Sequence, residues 1–471
     1  MPDRLTSLDV SFLYLEESTT AMHTGSVMIF AEPPEGFDHT AVVRHVAARI
    51  AFVPRYRQRL RWVPGRLGNP VWVDDEGFEL TRHVRRSALP RPGTREQLEE
   101  LVARLLSRRL DRRRPLWELI VVEGLEDGGF AVVTKVHQAL VDGVRTVDLG
   151  HVVLDHSPDV TDPPPDTWCP APEPTLVELV AGAIADSVLR PRQAIDTVRA
   201  GIGDVRATAG KVADALGGIA LAARAASRPT PRSPLNRDIS RHRRFRMIAT
   251  ELDDYRRVRA RHSGPPGTGV TVTDVILSVL AGGLRSWLLT RGELVPPDDV
   301  VRALVPMSVR AEDDDRGRVL GGRVSSLLVD LPTGEPSPAV RLHQVAFQTR
   351  EHRDTGQAVD ARAIAGIAGF APPTLHSLGA RLASSLSRHL FNLVVTNVPG
   401  PQRPLHLRGA RMLATHPVVP LARGQALSVG LTSYDGGVFY GLYADRDAMP
   451  DLDVLAQCIE DALAELLETP A

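Results

Sequence analysis

Apolar residues repeat with two different periods along this chain, and the places where one period gives way to the other mark its elements. Alternation from Gly25 to Phe30 and β-branched runs at Val132 to Val136, Ala303 to Arg310 and Phe391 to Asn397 predict strands. Apolar residues three and four apart predict helices over about His39 to Phe52, Thr94 to Leu110, Thr273 to Leu289 and Asp451 to Leu467. Before the last helix, GQALSVGLTSYDGGVFYGLYADRDAMPD reads as a β-hairpin. Ser7 to Met22 reads as a polar lead-in to the first strand. Arg55, Arg57, Arg59 and Arg61 alternate as on a strand, which predicts one basic face, open to solvent or to the phosphate of an anionic cofactor.

One stretch carries chemistry. VVTKVHQALVDGVRTVDL, Val132 to Leu149, predicts a buried strand that delivers His137 and Gln138 at its end. Asp142 and Gly143 follow at a turn able to take positive φ, and a helix then carries Val144, Val147 and Val152 on one face. Adjacent side chains at a strand end point to opposite faces, so His137 is expected to face away from whatever Gln138 meets.

Composition narrows the setting. A chain of 471 residues, 43% of them hydrophobic, can bury the cores of two domains. A formal net charge of -1, and the acids Asp74, Asp75, Glu76 and Glu79 beside the arginine run, argue against nucleic acid as a partner. Cys169 and Cys458 lie far apart and form no disulfide or metal pattern, so a cytoplasmic protein without a metal is expected. The start has no signal-peptide pattern, and no apolar run reads as long enough to cross a membrane. The Pro- and Asp-rich segment Ser157 to Pro174 cannot be regular structure and closes a first domain. From Thr175 to Ala226 an Ala- and Val-rich stretch, with Leu176, Leu179, Val180, Ile184 and Val188 at helical spacing, predicts helices that cross between domains or lie on a membrane surface.

HQALVDG resembles HHxxxDG, the motif of acyltransferases built on the chloramphenicol acetyltransferase (CAT) fold, with Gln138 in the place of the second His. The likeness extends over most of the chain. Leu8, Asp9, Phe12, Leu13, Glu16, Met22 and His23 match an LDxxFLxxE signature followed by an MH pair, and Pro115, Leu116 and Trp117 form a PLW about twenty residues ahead of HQALVDG. Further on come SPLNRDISRHRRF, Thr273 and Asp274 in place of an ND pair, LGGRVSSLLVDLPTGEP with Gly322 where Asn is usual, and an intact NVPGP from Asn397 to Pro401. In this order the matches run from Ser7 to about Leu467 and resemble the bacterial wax ester synthase/diacylglycerol acyltransferase family.

That resemblance implies an α/β (α+β) fold of two CAT-like domains, residues 1–160 and 236–471, joined by a Pro-rich linker and connecting helices over 161–235. The active site would lie in a tunnel between them. No cofactor would be bound; acyl-CoA would be a substrate, with diacylglycerol or a long-chain alcohol as acceptor, in a cytoplasmic protein able to touch a membrane or lipid droplet. Gln138 would stand at the general-base position beside His137 and Gly143, with Asp142 structural and paired to Arg310. Pro115, Leu116, Trp117, Thr273, Asp274, Asn397, Pro399 and Gly400 would bind substrate. A carboxamide has no useful basicity, and loss of a general base costs on the order of 10²- to 10⁴-fold in rate, so an impaired acyltransferase is expected. Two other readings stay open. One is an inactive relative that binds acyl-CoA or lipid, which Gln138, Thr273 and Gly322 favour; the other is a different CAT-like acyltransferase such as a peptide-synthetase condensation domain, which PLW and NVPGP disfavour.

Overall fold

The computed structural model describes residues 2–33, 36–141, 149–160, 166, 168–189, 230–262, 269–309, 323–354, 359–360 and 390–470. The first half runs α1 (Ser7–Leu15), β1 (His23–Phe30), α2 (His39–Ile50), β2 (Gln58–Arg61), β3 (Val71–Asp74), α3 (Leu80–His83), β4 (Val84–Ala88) and α4 (Arg95–Leu106). Then come β5 (Trp117–Glu123), β6 (Phe130–His137), α5 (Gln138–Val141), α6 (Leu149–Val153) and α7 (Leu176–Leu189). The second half has β7 (Arg243–Glu251), α8 (Leu252–His262), α9 (Val272–Thr290), β8 (Val301–Val309), β9 (Arg323–Leu331), α10 (Pro338–Asp354) and β10 (Val359–Asp360). It closes with β11 (Leu393–Pro399), β12 (His406–Leu407), β13 (Ala410–Val418), β14 (Leu427–Tyr434), β15 (Gly437–Asp445) and α11 (Leu452–Glu468).

Two large sheets form the frame, one ordered β12-β13-β1-β6-β5-β4 and the other β10-β9-β8-β11-β14-β15-β7. They do not divide along the sequence. β13 comes from the second half yet lies antiparallel beside β1, from Gly25 against Val418 to Ile29 against Ala414, and so covers an edge of the first sheet. As it leaves that sheet it crosses β14 and β15 at Gly430 and Gly441, which face each other in the hairpin. The Pro417 carbonyl occupies the space a Cβ would need at either glycine, so only residues without side chains let the two sheets approach here.

Every residue of β6 is buried, with its faces in different cores. Phe130, Val132 and Val136 join Phe30, Ile50, Tyr56 and Trp117 on one side. Ala131 and Val133 face Leu98, Val102 and Leu106 of α4, and the same cluster takes in Phe245, Met247 and Tyr443 of the second sheet. A third core packs α9 and α11 on the second sheet, and Gly283 lets Ile459 approach to 2.6 Å of where a Cβ would sit. α9 is long and apolar enough to cross a membrane, contrary to the sequence expectation, but 72% of it is buried inside the fold as a core helix.

Two further expectations need correction. Ser7 to Leu15 is a helix, because Thr6 and Asp9 close a capping box: the Thr6 hydroxyl accepts from the Asp9 N–H at 3.2 Å and the Asp9 carboxylate accepts from the Thr6 N–H at 3.1 Å. The arginines do not share an open face. Pro54–Arg57 is a 3-10 turn, Arg57 is buried on Asp166, and Glu173 takes both Arg59 (2.8 Å) and Arg61 (2.9 Å), while Asp3 takes Arg55 at 2.8 Å. Two of these acids come from the Pro-rich segment more than a hundred residues away, which local alternation cannot reveal.

Candidate active site

The strand end is a buried polar assembly. His137 closes β6 opposite His23 of β1 and, by the alternation along the strand, falls on the α4 side with Lys135. Its Nδ1 accepts the Ala139 N–H at 3.0 Å, which leaves the imidazole proton on Nε2. That Nε2 is buried without a hydrogen bond, 3.9 Å from Oε1 of Glu16. Burial, with a smaller push from Arg112, brings the imidazole down to about 3. His137 is therefore neutral near pH 7, and its one basic nitrogen is already engaged.

Gln138 is the first residue of α5 and is half-buried; its N–H donates to the Met22 carbonyl at 2.9 Å. Glu16 accepts from Arg112 through Nε at 2.9 Å and Nη2 at 2.5 Å, and from the Met22 N–H at 3.4 Å. His23 Nε2 meets the Leu106 carbonyl at 2.6 Å and is held well below its ordinary value by burial and then by Lys135. Lys135, itself buried, donates to the Leu105 carbonyl (3.2 Å) and the Arg108 carbonyl at the C-terminus of α4.

The PLW tripeptide lies beneath this strand end. Pro115, Leu116 and Trp117 are all buried. The Leu116 carbonyl accepts the His137 N–H at 3.0 Å, and Trp117 donates from Nε1 to the Tyr56 carbonyl at 2.7 Å with its ring stacked on His83. Leu116 and Trp117 thus belong to the core of the first half.

In the second half two candidate residues come together: Asn397 donates from Nδ2 to the Thr273 hydroxyl at 3.2 Å. Thr271, not Thr273 or Asp274, caps α9; Asp274 accepts from the Thr271 N–H at 2.7 Å and from the Thr349 hydroxyl at 2.6 Å. Thr273, Asp274, Leu277, Val305, Leu327 and Thr349 are among the residues around a cavity of about 210 Å³. Pro399 is exposed, and Gly400 donates its N–H to the Ser433 carbonyl at 2.9 Å. Asp142, Gly143, Arg310 and Gly322 lie outside the described residues. Sequence pattern alone did not single out Arg112 as the partner of Glu16, or Lys135 and His416 for the interior. Their partners lie far off in the chain, and only the glycines under Pro417 hint at the crossing.

The fold is of the CAT-like class. The first condensation domain of the CDA synthetase matches 100% of this chain and 97% of its own length with a TM-score of 0.55, a likeness of fold alone at 14% identity. Sequence narrows the class. Residues 5–276 match the wax ester synthase/diacylglycerol acyltransferase catalytic domain, and residues 320–467 match the WS/DGAT C-terminal domain. The wax ester synthase/diacylglycerol acyltransferase from Marinobacter aquaeolei VT8 is 30% identical, with a TM-score of 0.67 over 98% of both chains. A Mycobacterium tuberculosis protein named probable diacyglycerol O-acyltransferase tgs1 is 35% identical over 99% of this chain and 96% of its own. The chain belongs to the wax ester synthase/diacylglycerol acyltransferase family and, by that membership, is an acyltransferase whose substrates are an acyl-CoA and an acyl acceptor.

Proposed function

We propose that this chain transfers a fatty acyl group from acyl-CoA to the hydroxyl of diacylglycerol or of a long-chain alcohol, slowly, because Gln138 stands where the proton must be handled. The observation that carries this is the backbone of residue 138, fixed immediately past β6 by the Met22 carbonyl, beside a His137 whose basic nitrogen is taken.

In the reaction the alcohol oxygen bonds to the thioester carbon, the C–S bond breaks, the hydroxyl loses a proton and the departing thiolate gains one. An imidazole at position 138 can take the first proton and give it to sulfur. The Gln138 carboxamide can only hydrogen-bond the hydroxyl and orient it. Its rate then rests on holding acyl-CoA and acceptor together, a contribution that survives the loss of a base. His137 does not substitute, since protonating it would charge a fully buried ring. Asp142 is proposed to be structural and paired to Arg310, and Thr273 with Asn397 to line the acceptor side. A cytoplasmic protein working against a lipid surface fits Leu67, Leu176 and Val177, apolar residues left exposed where α7 meets the turn at 64–66.

The test is acyl transfer from palmitoyl-CoA to diacylglycerol and to hexadecanol by the purified chain and by Gln138→His. A gain of about a hundredfold or more in the variant is expected. Equal rates would mean that residue 138 does not handle the proton. A second reading, binding without turnover, is favoured by Gln138 itself; it takes over if both proteins bind acyl-CoA and neither turns over.

A further inference from the structure

Residue 138 is clamped on both sides. Its own N–H donates to the Met22 carbonyl at 2.9 Å, and the next N–H, that of Ala139, donates to His137 Nδ1 at 3.0 Å. Both clamps lead back to one carboxylate. The Met22 N–H lies 3.4 Å from Glu16 Oε1, and the proton-bearing Nε2 of His137 lies 3.9 Å from the same oxygen with no hydrogen bond of its own. Arg112 occupies the other oxygen with two N–H groups, at 2.9 and 2.5 Å, and ties itself to the Leu13 carbonyl at 2.8 Å. The Glu16 side chain is only 1% exposed. A carboxylate buried to that degree is costly unless it is paired, and here the pairing leaves its second oxygen directed at the two groups that fix residue 138.

The segment is also held from the second half of the chain. Arg243, which pairs with Asp445, donates to the Thr19 carbonyl, and Arg423 meets Glu17 at 3.3 Å. The neighbours of Glu16 are thereby tied to the second sheet.

We propose that Glu16, held by Arg112, is a positioning residue that fixes the direction of the side chain at 138 through Met22 and His137, without touching substrate. This rests on the reading of residue 138 as the place where the proton is handled. A displacement of about 1 Å in a reacting group can cost on the order of a hundredfold in rate, so the loss should appear in turnover rather than in substrate binding.

The experiment compares Glu16→Ala and Glu16→Gln, made in the full chain and in the Gln138→His chain. Amide hydrogen exchange at Gln138 and Ala139 in the otherwise unaltered chain should speed up at least tenfold in Glu16→Ala, while Val132 and Val133 in the middle of β6 keep their protection. In the Gln138→His chain, Glu16→Ala should lower kcat at least tenfold and move KM for palmitoyl-CoA less than threefold. Glu16→Gln, which keeps an acceptor for the Met22 N–H, should retain more of both. Unchanged exchange at the two amides in a folded variant, or a KM effect without a kcat effect, overturns the proposal. If Glu16→Ala does not fold, Arg112→Lys, which cannot make all of these bonds at once, is read by the same exchange criterion. Should Gln138→His prove inactive, the functional reading falls while exchange still decides the role of Glu16.

Discussion

Imidazoles dominate at the scale of single residues. His137 and His416 are each brought down to about 3 by burial, and His23 is held well below its ordinary value. An unfolded chain protonates its histidines near pH 6.5, whereas these stay neutral in the fold, so below that pH the unfolded state binds more protons than the native one. Stability should therefore fall as pH drops from about 6.5 toward 3, by roughly 1.4 kcal/mol per pH unit for each such histidine. Urea midpoints between pH 7 and pH 4.5 will show the fall. His416→Asn should make it shallower by one histidine's share, and an unaltered slope would mean that His416 titrates normally in the fold. His416 donates from Nδ1 to the Tyr440 carbonyl at 2.9 Å, a pairing twenty-four residues apart that no local pattern announces. Gln138, by contrast, was legible from sequence because the letters around it match a motif, and its consequence follows from the pKa of an amide.

Among the elements, long helices with apolar residues at helical spacing were readable. That spacing in α4, α9 and α11 is local, and a period of 3.6 survives whatever packs against it. The β14–β15 hairpin was readable too, since Asp435 and Gly436 both take positive φ in its two-residue turn. α1 was missed because its evidence lies in a capping box rather than a stripe. The arginine run misled because Pro54 starts a turn and breaks the alternation before β2 begins. At this scale the crossing of β13 is the most sensitive point. Gly441→Ala would set a methyl group into the Pro417 carbonyl, and the backbone rather than a side-chain tip would have to move. A loss of about 3 kcal/mol is expected in urea unfolding. A loss below about 0.5 kcal/mol, the range of neutral surface changes, would show that β13 can lift away freely.

Across the whole molecule, neither half is complete without the other. β13 covers the edge of β1, and α4 packs on both sheets. A fragment ending at residue 235 would leave β1 with a row of unpaired N–H and C=O groups. It is expected to aggregate when expressed alone and to become soluble when residues 236–471 are co-expressed. A monomeric, cooperatively folding 1–235 fragment would contradict this.

The sequence by itself determined the long helices α2, α4, α9 and α11, the central strands, the family and the altered letter at 138, because periodicity and motif spacing are properties of neighbouring residues. Tertiary structure alone decided which charges cancel: Asp166 and Glu173 on the arginine run, Arg112 on Glu16. It also decided that a strand from residue 410 onward would finish a sheet begun at residue 23. Burial of a charge or of a strand edge is tolerable only with a partner, and such partners are selected by distance in space rather than along the chain.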